Sequence, residues 1–482
     1  MTEWSIDNRT RSARLRVRAI ESPATPAGLL QALSRRPQPA LLESAAVDRC
    51  WGRYSLIACH PCQVVTLGEG GFVDSAGREL PASTPREALK LALSAFRCER
   101  SQGLPYGPGW LGYVGYEYGR CLEKLPCRGV RDTLLPDVHL GFYDAVLVYD
   151  QGDRRWFLTW LEFDDGRACS PARDDLAKLL AQASTEAPAG GDDSPACRPA
   201  VPARSNFSPD AYRRAVARCV EYIAAGDIFQ VNLSQRFAVE PAPEAVALYR
   251  SLRRRNPACY SAMLLLGESA VCSSSPELFL RLRNGQVVTR PIKGTRRRTG
   301  QVDVDAAAAA ELLTSEKDNA ELAMIIDLLR NDLGRVCRYG SVRVVNPREL
   351  ETHPTVFHLV GTVVGELRQG VDAADLLAAC FPGGSITGAP KIRAMEIIDE
   401  LEGVARGVYT GSIGWFGANG DGELNIAIRT VVCDRGRALV QVGGGIVADS
   451  TPEGEYQETL DKARALLEAI AQADFTSRSA GR

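Results

Sequence analysis

Histidine is scarce in this chain, with four in 482 residues, and a net charge is nearly absent, at −2 formally. So little charge argues against a protein that binds nucleic acid or another polyanion. No apolar run approaches the roughly 20 residues needed to span a bilayer, so no membrane partner is expected. The opening residues, Met1 to Asp7, lack the basic and apolar regions of a signal peptide, and the chain reads as cytoplasmic. Cysteine is the exception to scarcity. The fourteen cysteines are scattered through regular segments and read as reduced. Cys59-His60-Pro61-Cys62 copies the spacing of a redox motif, but such a motif should open a helix after a strand. Here it precedes the strand-like Gln63–Leu67, and no second Cys/His pair has the spacing of a metal site.

A hydrophobic content of 45% with 24% charged residues is ordinary for a globular protein, and the length exceeds one ordinary core. The segment from Pro188 to Arg204 is rich in Pro, Gly, Ala and Asp without hydrophobic period. It divides an N-terminal subdomain (1–187) and a linker (188–205) from a catalytic domain (206–472) with a polar tail (473–482). No internal repeat is apparent. Long strands and helices without strict alternation indicate an α+β fold.

Lys293 lies in Pro291-Ile292-Lys293-Gly294-Thr295, after the strand-like Gln286–Arg290. A lysine whose pKa is lowered by burial or a cationic neighbour can attack carbon, whereas a strand-end lysine in water cannot. Asp318 and Glu321 are three apart in Thr314–Leu333, which reads as a buried helix, and Glu455 and Glu458 repeat that spacing before a helix over Thr459–Ile470. Two such pairs facing each other suit a hard cation such as Mg²⁺, and solvated helix faces are the alternative. Gly443-Gly444-Gly445 follows the strand-like Ala438–Val442 and reads as a turn or an anion-binding nest. Arg429 stands in the apolar, strand-like Asn425–Val432, where it needs a structural carboxylate or a ligand's. His358, in Thr355–Val360, is an acid/base candidate or a satisfied core histidine.

Several long strings are similar to the chorismate-utilising enzymes, and among them to the large subunits of aminodeoxychorismate synthase. They are Gly226–Ser234, Ser274–Glu277, Pro291–Thr295, Asp327–Leu333, Pro382–Lys391 and Asp449–Glu453. The resemblance implies an α+β fold with two large packed sheets, flanking helices and a site between the sheets. It implies Mg²⁺ ligands at Glu321 and Glu458, with Asp318 and Glu455 helping through water. Arg429, Tyr409, Lys462 and the amides around Gly443, Gly444 and Gly445 would hold chorismate, with Thr295 and Thr387 also in contact. Glu277 would protonate the departing hydroxyl, His358 would lie near the ring, and Ser44 would mark a tryptophan site.

Within the family, Gln230 stands where water-using members carry a basic lysine, so ammonia is the implied nucleophile. Lys293 stands where anthranilate synthases usually carry alanine, and resembles the lysine thought to attack chorismate C2 in aminodeoxychorismate synthases. No glutaminase nucleophile segment is found, so a separate glutamine amidotransferase subunit is the expected partner. The expected product is 4-amino-4-deoxychorismate, for 4-aminobenzoate and folate synthesis. An anthranilate synthase, an aminating enzyme of specialised metabolism and, against the intact site residues, a non-catalytic paralogue that binds chorismate or tryptophan remain the alternatives.

Overall fold

The computed structural model describes residues 6, 9–46, 51–68, 70–101, 103–166, 170–183, 201–353 and 356–479, the last six as backbone only. Strands assemble into a 13-stranded and an 11-stranded sheet with helices packed around them, so the α+β expectation holds. No helix among the described residues is long and apolar enough to cross a membrane.

Neither sheet belongs to one half of the chain. At the middle of the first, Ala40–Glu43 pairs antiparallel with Tyr260–Leu266. Outward on one side come Tyr54–Ala58, Ala145–Asp150, Arg155–Phe163 and Arg11–Ile20. On the other side Ser269–Ser275, Thr430–Asp434, Arg437–Ile446 and Gln230–Val239 repeat that order. At the middle of the second sheet, Gly109–Val114 pairs with Ser412–Gly417. Val138–Tyr143, Gln63–Gly68 and Gly71–Asp74 lie beyond one partner, and Gly422–Asn425, Leu278–Arg283 and Gln286–Arg290 beyond the other. The chain thus holds an internal repeat that its residues do not announce. Pairing needs only backbone groups and a matching apolar face, so topology can repeat where side chains do not. The linker expected at 188–205 lies outside the described residues up to 200, and Arg204–Ser205 is already a short edge strand.

Within each half the chain passes repeatedly from one sheet to the other. Residues 276–277 carry it from Ser269–Ser275 in the first sheet to Leu278–Arg283 in the second, and 426–429 carry it from Gly422–Asn425 back to Thr430–Asp434. These two crossings hold each other: Ser275 Oγ donates to the Ile426 carbonyl at 2.6 Å and Ile426 N donates to that of Glu277 at 3.1 Å.

Helix boundaries follow local chemistry. Ser208 caps Pro209–Ala224 by accepting from Ala211 N, with proline in the first turn where no donor is missed. Thr314–Leu333 is not one helix. Ser315, with ψ of 108°, breaks it into Val302–Thr314 and Glu316–Gly334, and its hydroxyl caps the second. The last helix runs from Pro452 to Ser479, so Glu455 and Glu458 lie inside it and residues 473–479 are no tail. No proline or glycine interrupts 455–480, which leaves nothing to stop the helix at Ile470.

Candidate active site

Most of the singled-out side chains meet where the crossings open a cavity of about 730 Å³, lined among others by Glu277, Lys293, Glu321, His358, Tyr409, Arg429, Gly443, Gly445, Glu458 and Lys462. Glu277 and Arg429 come from the two crossings. Lys293 comes from the Ile292–Arg297 strand, and Glu458 and Lys462 from the last helix.

Lys293 and Thr295 are not at a turn. Their strand pairs with Val356–Glu366 and shifts register between them, with Gly294 at φ +74° forming the bulge. A side chain at Gly294 would also strike Leu312 at 2.7 Å. Lys293 and Thr295 both line the cavity. The Lys293 amine donates to the Ser385 carbonyl at 3.3 Å. Burial lowers its pKa, against the raising fields of Glu321 and Glu277.

Glu277 is 5% exposed, and burial lifts its carboxyl to about 7 although Ser385 and Lys293 pull it down. Ser385 Oγ donates to Glu277 Oε1 at 2.6 Å. At neutral pH such a carboxyl carries a proton about half the time, as a general acid requires. His358 is different. Burial, with help from His353 and Arg429, lowers its pKa to about 3, so its imidazole is neutral, and its buried Nδ1 has no hydrogen-bond partner among the described residues.

Arg429 does not sit in a strand. It occupies the bend between Gly422–Asn425 and Thr430–Asp434 at φ +52°, a left-handed conformation that a non-glycine residue holds only under strain. Its Nη1 donates to the Lys462 carbonyl at 3.1 Å, and the side chain faces the cavity. Lys462 Nζ reaches Glu458 Oε1 at 2.6 Å and the Gly443 carbonyl at 2.8 Å.

The three glycines form no nest. They lie within the Arg437–Ile446 strand, and Gly443, Gly444 and Gly445 pair with Ser234, Leu233 and Asn232. The glycines open space instead. A Cβ at Gly444 would stand 2.8 Å from Glu455 Oε2 and 3.5 Å from Glu458 Oε1. One at Gly445 would stand 2.3 Å from Gln230 Nε2 and 3.7 Å from the Lys293 amine. The adjoining Thr430–Asp434 strand pairs only as far as Val440, so the glycine segment has a free edge beside Lys462 and Arg429.

Glu321 and Glu458 line the cavity, and Glu455 lies beside Glu458 at Gly444. Burial raises the carboxyls of Glu321 and Glu455, and Glu458 raises both further. Burial pushes Glu458 the same way, but Lys462, Lys317 and Lys293 outweigh it and leave it lowered. Glu455 Oε1 accepts from Ser450 at 2.6 Å, while Oε2 is buried with no hydrogen-bond partner among the described residues. That orphaned oxygen and the bare Gly444 beside it are what a bound cation or its water would use. Asp318 also lines the cavity and pairs with Arg296 Nη2 at 3.0 Å.

Thr387 is outside the cavity lining. It is fully buried, and its hydroxyl closes a turn by donating to the Gly383 carbonyl at 2.9 Å. Ser385, two residues earlier in the same Gly-rich string, faces the cavity instead, and sequence reasoning passed it over. Asn232 and Lys317 were missed too. Ser44 belongs to a separate cavity of about 40 Å³, where its hydroxyl donates to the Tyr54 carbonyl at 2.8 Å and the Cys259 carbonyl at 3.1 Å. Tyr106 packs edge-on against Trp415 there.

At the repeat-related place in the N-terminal half, residues 59–62 make the crossing. Cys59, His60 and Asp175 bring their donor atoms within 4.8 Å there. Arg36 donates to the same Asp175 oxygen as His60, each at 3.1 Å, and burial with Asp175 lifts the Cys59 thiol to about 12. This is an ion-paired cluster around a protonated thiol, not a redox pair.

The chain as a whole has known relatives. It is similar to aminodeoxychorismate synthase component 1 of Bacillus subtilis (strain 168), 38% identical over 439 residues that cover 90% of this chain and 92% of that one. It is similar also to anthranilate synthase component 1 of Pseudomonas putida, 40% identical over 472 residues and 94% of each chain. The crystal structure of anthranilate synthase component I from Streptococcus pneumoniae TIGR4 superimposes with a TM-score of 0.77 at 33% identity, over 87% of this chain and 93% of that one. A family model described as chorismate binding enzyme matches residues 49–468, nearly the whole span that builds the two sheets and the cavity. With that match the chain belongs to the chorismate-binding enzyme family.

Proposed function

We propose that this enzyme aminates chorismate to 4-amino-4-deoxychorismate, using ammonia supplied by a separate glutamine amidotransferase subunit and Lys293 as a covalent nucleophile. The observation that carries the reading is the Lys293 amine in the cavity wall, with its pKa lowered by burial and the protonatable Glu277 nearby. Arg429, Tyr409 and Lys462 line the same cavity and would hold the substrate carboxylates. Mg²⁺ held by Glu321 and Glu458, with Glu455 behind them, would supply positive charge toward the ring carboxylate.

In the first half-reaction the neutral Lys293 amine bonds to ring carbon C2, both ring double bonds shift to C1=C6 and C4=C5, and the C4–O bond breaks. Glu277 gives its proton to the departing hydroxyl, which leaves as water. Ammonia then bonds to C4, both double bonds shift back, and the C2–N bond breaks to release the Lys293 amine. The product ammonium returns a proton to Glu277. Two displacements with allylic shift place nitrogen at C4. Gln230 has no basic amine with which to activate water, consistent with ammonia as the nucleophile.

The test is to incubate the protein with chorismate, Mg²⁺ and ammonium, and to separate the products. 4-Amino-4-deoxychorismate is expected from the native chain, with Lys293→Ala losing at least about 10²-fold of that rate. Fluorescent anthranilate as the direct product would establish instead the activity named for the Pseudomonas putida relative.

A further inference from the structure

Tyr409 and Arg429 sit on irregular backbone, and irregular backbone must be held by something. The segment 405–411 follows the Lys391–Glu402 helix, which ends at Gly403 with φ +68°. Arg406, on this segment, is 4% exposed and has five side-chain hydrogen bonds. Two go to Glu402, at 2.9 and 2.6 Å. Two reach backbone carbonyls of cavity-lining residues, Asn232 at 2.6 Å and Ile386 at 3.0 Å. The fifth goes to Thr410 Oγ1 at 3.2 Å.

Thr410 is itself strained, at φ +59°. Its backbone N donates to the Ala427 carbonyl at 2.8 Å, and Ala427 N returns a bond to Gly411 at 2.8 Å, so the segment is stitched to the crossing that carries Arg429. The Arg406 guanidinium also stands over the rings of Tyr116 and Tyr409, at 4.7 and 5.7 Å. The segment's other anchor comes from the opposite half of the chain. Glu117 is 2% exposed, and its two carboxylate oxygens accept from Arg406 N at 2.9 Å and Gly407 N at 2.8 Å.

We infer that Glu117 and Arg406 are positioning residues of the substrate site: together they clamp residues 405–411 and thereby set where Tyr409 and Arg429 meet the substrate's carboxylates. The inference rests on the proposed substrate role of those two residues. It also gives the N-terminal half a part in substrate binding, because Glu117 accepts from the buried Arg406 amide and from the neighbouring Gly407 amide. Neither Glu117 nor Arg406 lines the cavity itself.

Glu117→Gln separates clamping from mere folding. A carboxamide offers one acceptor and turns an N–H toward the other amide, so one of the two bonds is lost. The expected result is a KM for chorismate raised about tenfold with kcat changed less than about twofold, as for a lost binding contact. Glu117→Asp, which keeps both oxygens on a shorter stem, should fall between the two, and it carries the same measurement if the Gln variant fails to fold. The decisive readout is a double-mutant cycle with Tyr409→Phe. Effects transmitted through Tyr409 make the double variant little worse than Tyr409→Phe alone, whereas additive effects, or an unchanged KM with only a lower melting temperature, overturn the inference. A native chain that binds no chorismate would defeat the proposed function itself, a different outcome from a native chain that binds while the Glu117 variants match it.

Discussion

Replacing Glu277 with glutamine should cost activity and gain stability, and both effects follow from one buried carboxyl. Burial holds it at about 7 against the opposing influence of Ser385 and Lys293. Above that value the fraction able to donate a proton falls about tenfold per pH unit, so the native rate should bend near neutrality and decline with unit slope. Glutamine has nearly the same shape but no acid. The loss expected is about 10²- to 10⁴-fold, or about 3–5 kcal/mol of barrier, and the alkaline limb due to Glu277 should vanish. Stability runs the other way. The folded carboxyl titrates above its unfolded value of about 4.3, so the folded state binds more protons between the two values and loses stability as pH rises through that window. By about pH 8 the cost is about 4 kcal/mol, and Glu277→Gln removes it. The variant should therefore melt higher than the native protein at about pH 8, and the advantage should fade toward about pH 4. The assay is kcat with saturating ammonium across the neutral range, beside calorimetric melting at the two ends. A glutamine variant with native rate and an unchanged alkaline limb would refute the reasoning.

Ser385→Ala removes the hydroxyl that donates to Glu277 at 2.6 Å and helps lower its pKa. The alkaline limb should consequently move to higher pH, and a limb that stays in place or moves down would show that the contact does not act on Glu277. Gly445→Ala places a methyl 2.3 Å from Gln230 Nε2, in reach of the Lys293 amine. Product formation should drop at least about tenfold as the carboxamide is displaced. A crystal structure of that variant should show Gln230 moved, and an unmoved Gln230 would count against the tight approach.

Much of the site was legible in the sequence because its chemistry resides in residue types. Lys293, Glu277, Glu321, Arg429, Glu458 and Lys462, drawn from distant segments, line one cavity. Backbone geometry was less readable. Apolar neighbours made Asn425–Val432 look like one strand, whereas the chain bends at Arg429 to change sheets. Three successive glycines suggested a turn, but inside a paired strand they serve to admit side chains from elsewhere. Ser315 was absorbed into a helical period that runs almost unbroken through it, and only its capping bond marks the break. Thr387 and Ser385 differ only in which way a short turn faces, and a sequence carries almost no trace of that.

The mirrored strand order has a consequence for how the molecule can be divided. Severing the chain between its halves would not release two independent modules. It would strip the mates from Ala40–Glu43, Tyr260–Leu266, Gly109–Val114 and Ser412–Gly417, baring two sticky margins on each fragment where the intact protein has sheet interiors. Separately produced fragments should aggregate alone and recover solubility only when folded in each other's presence.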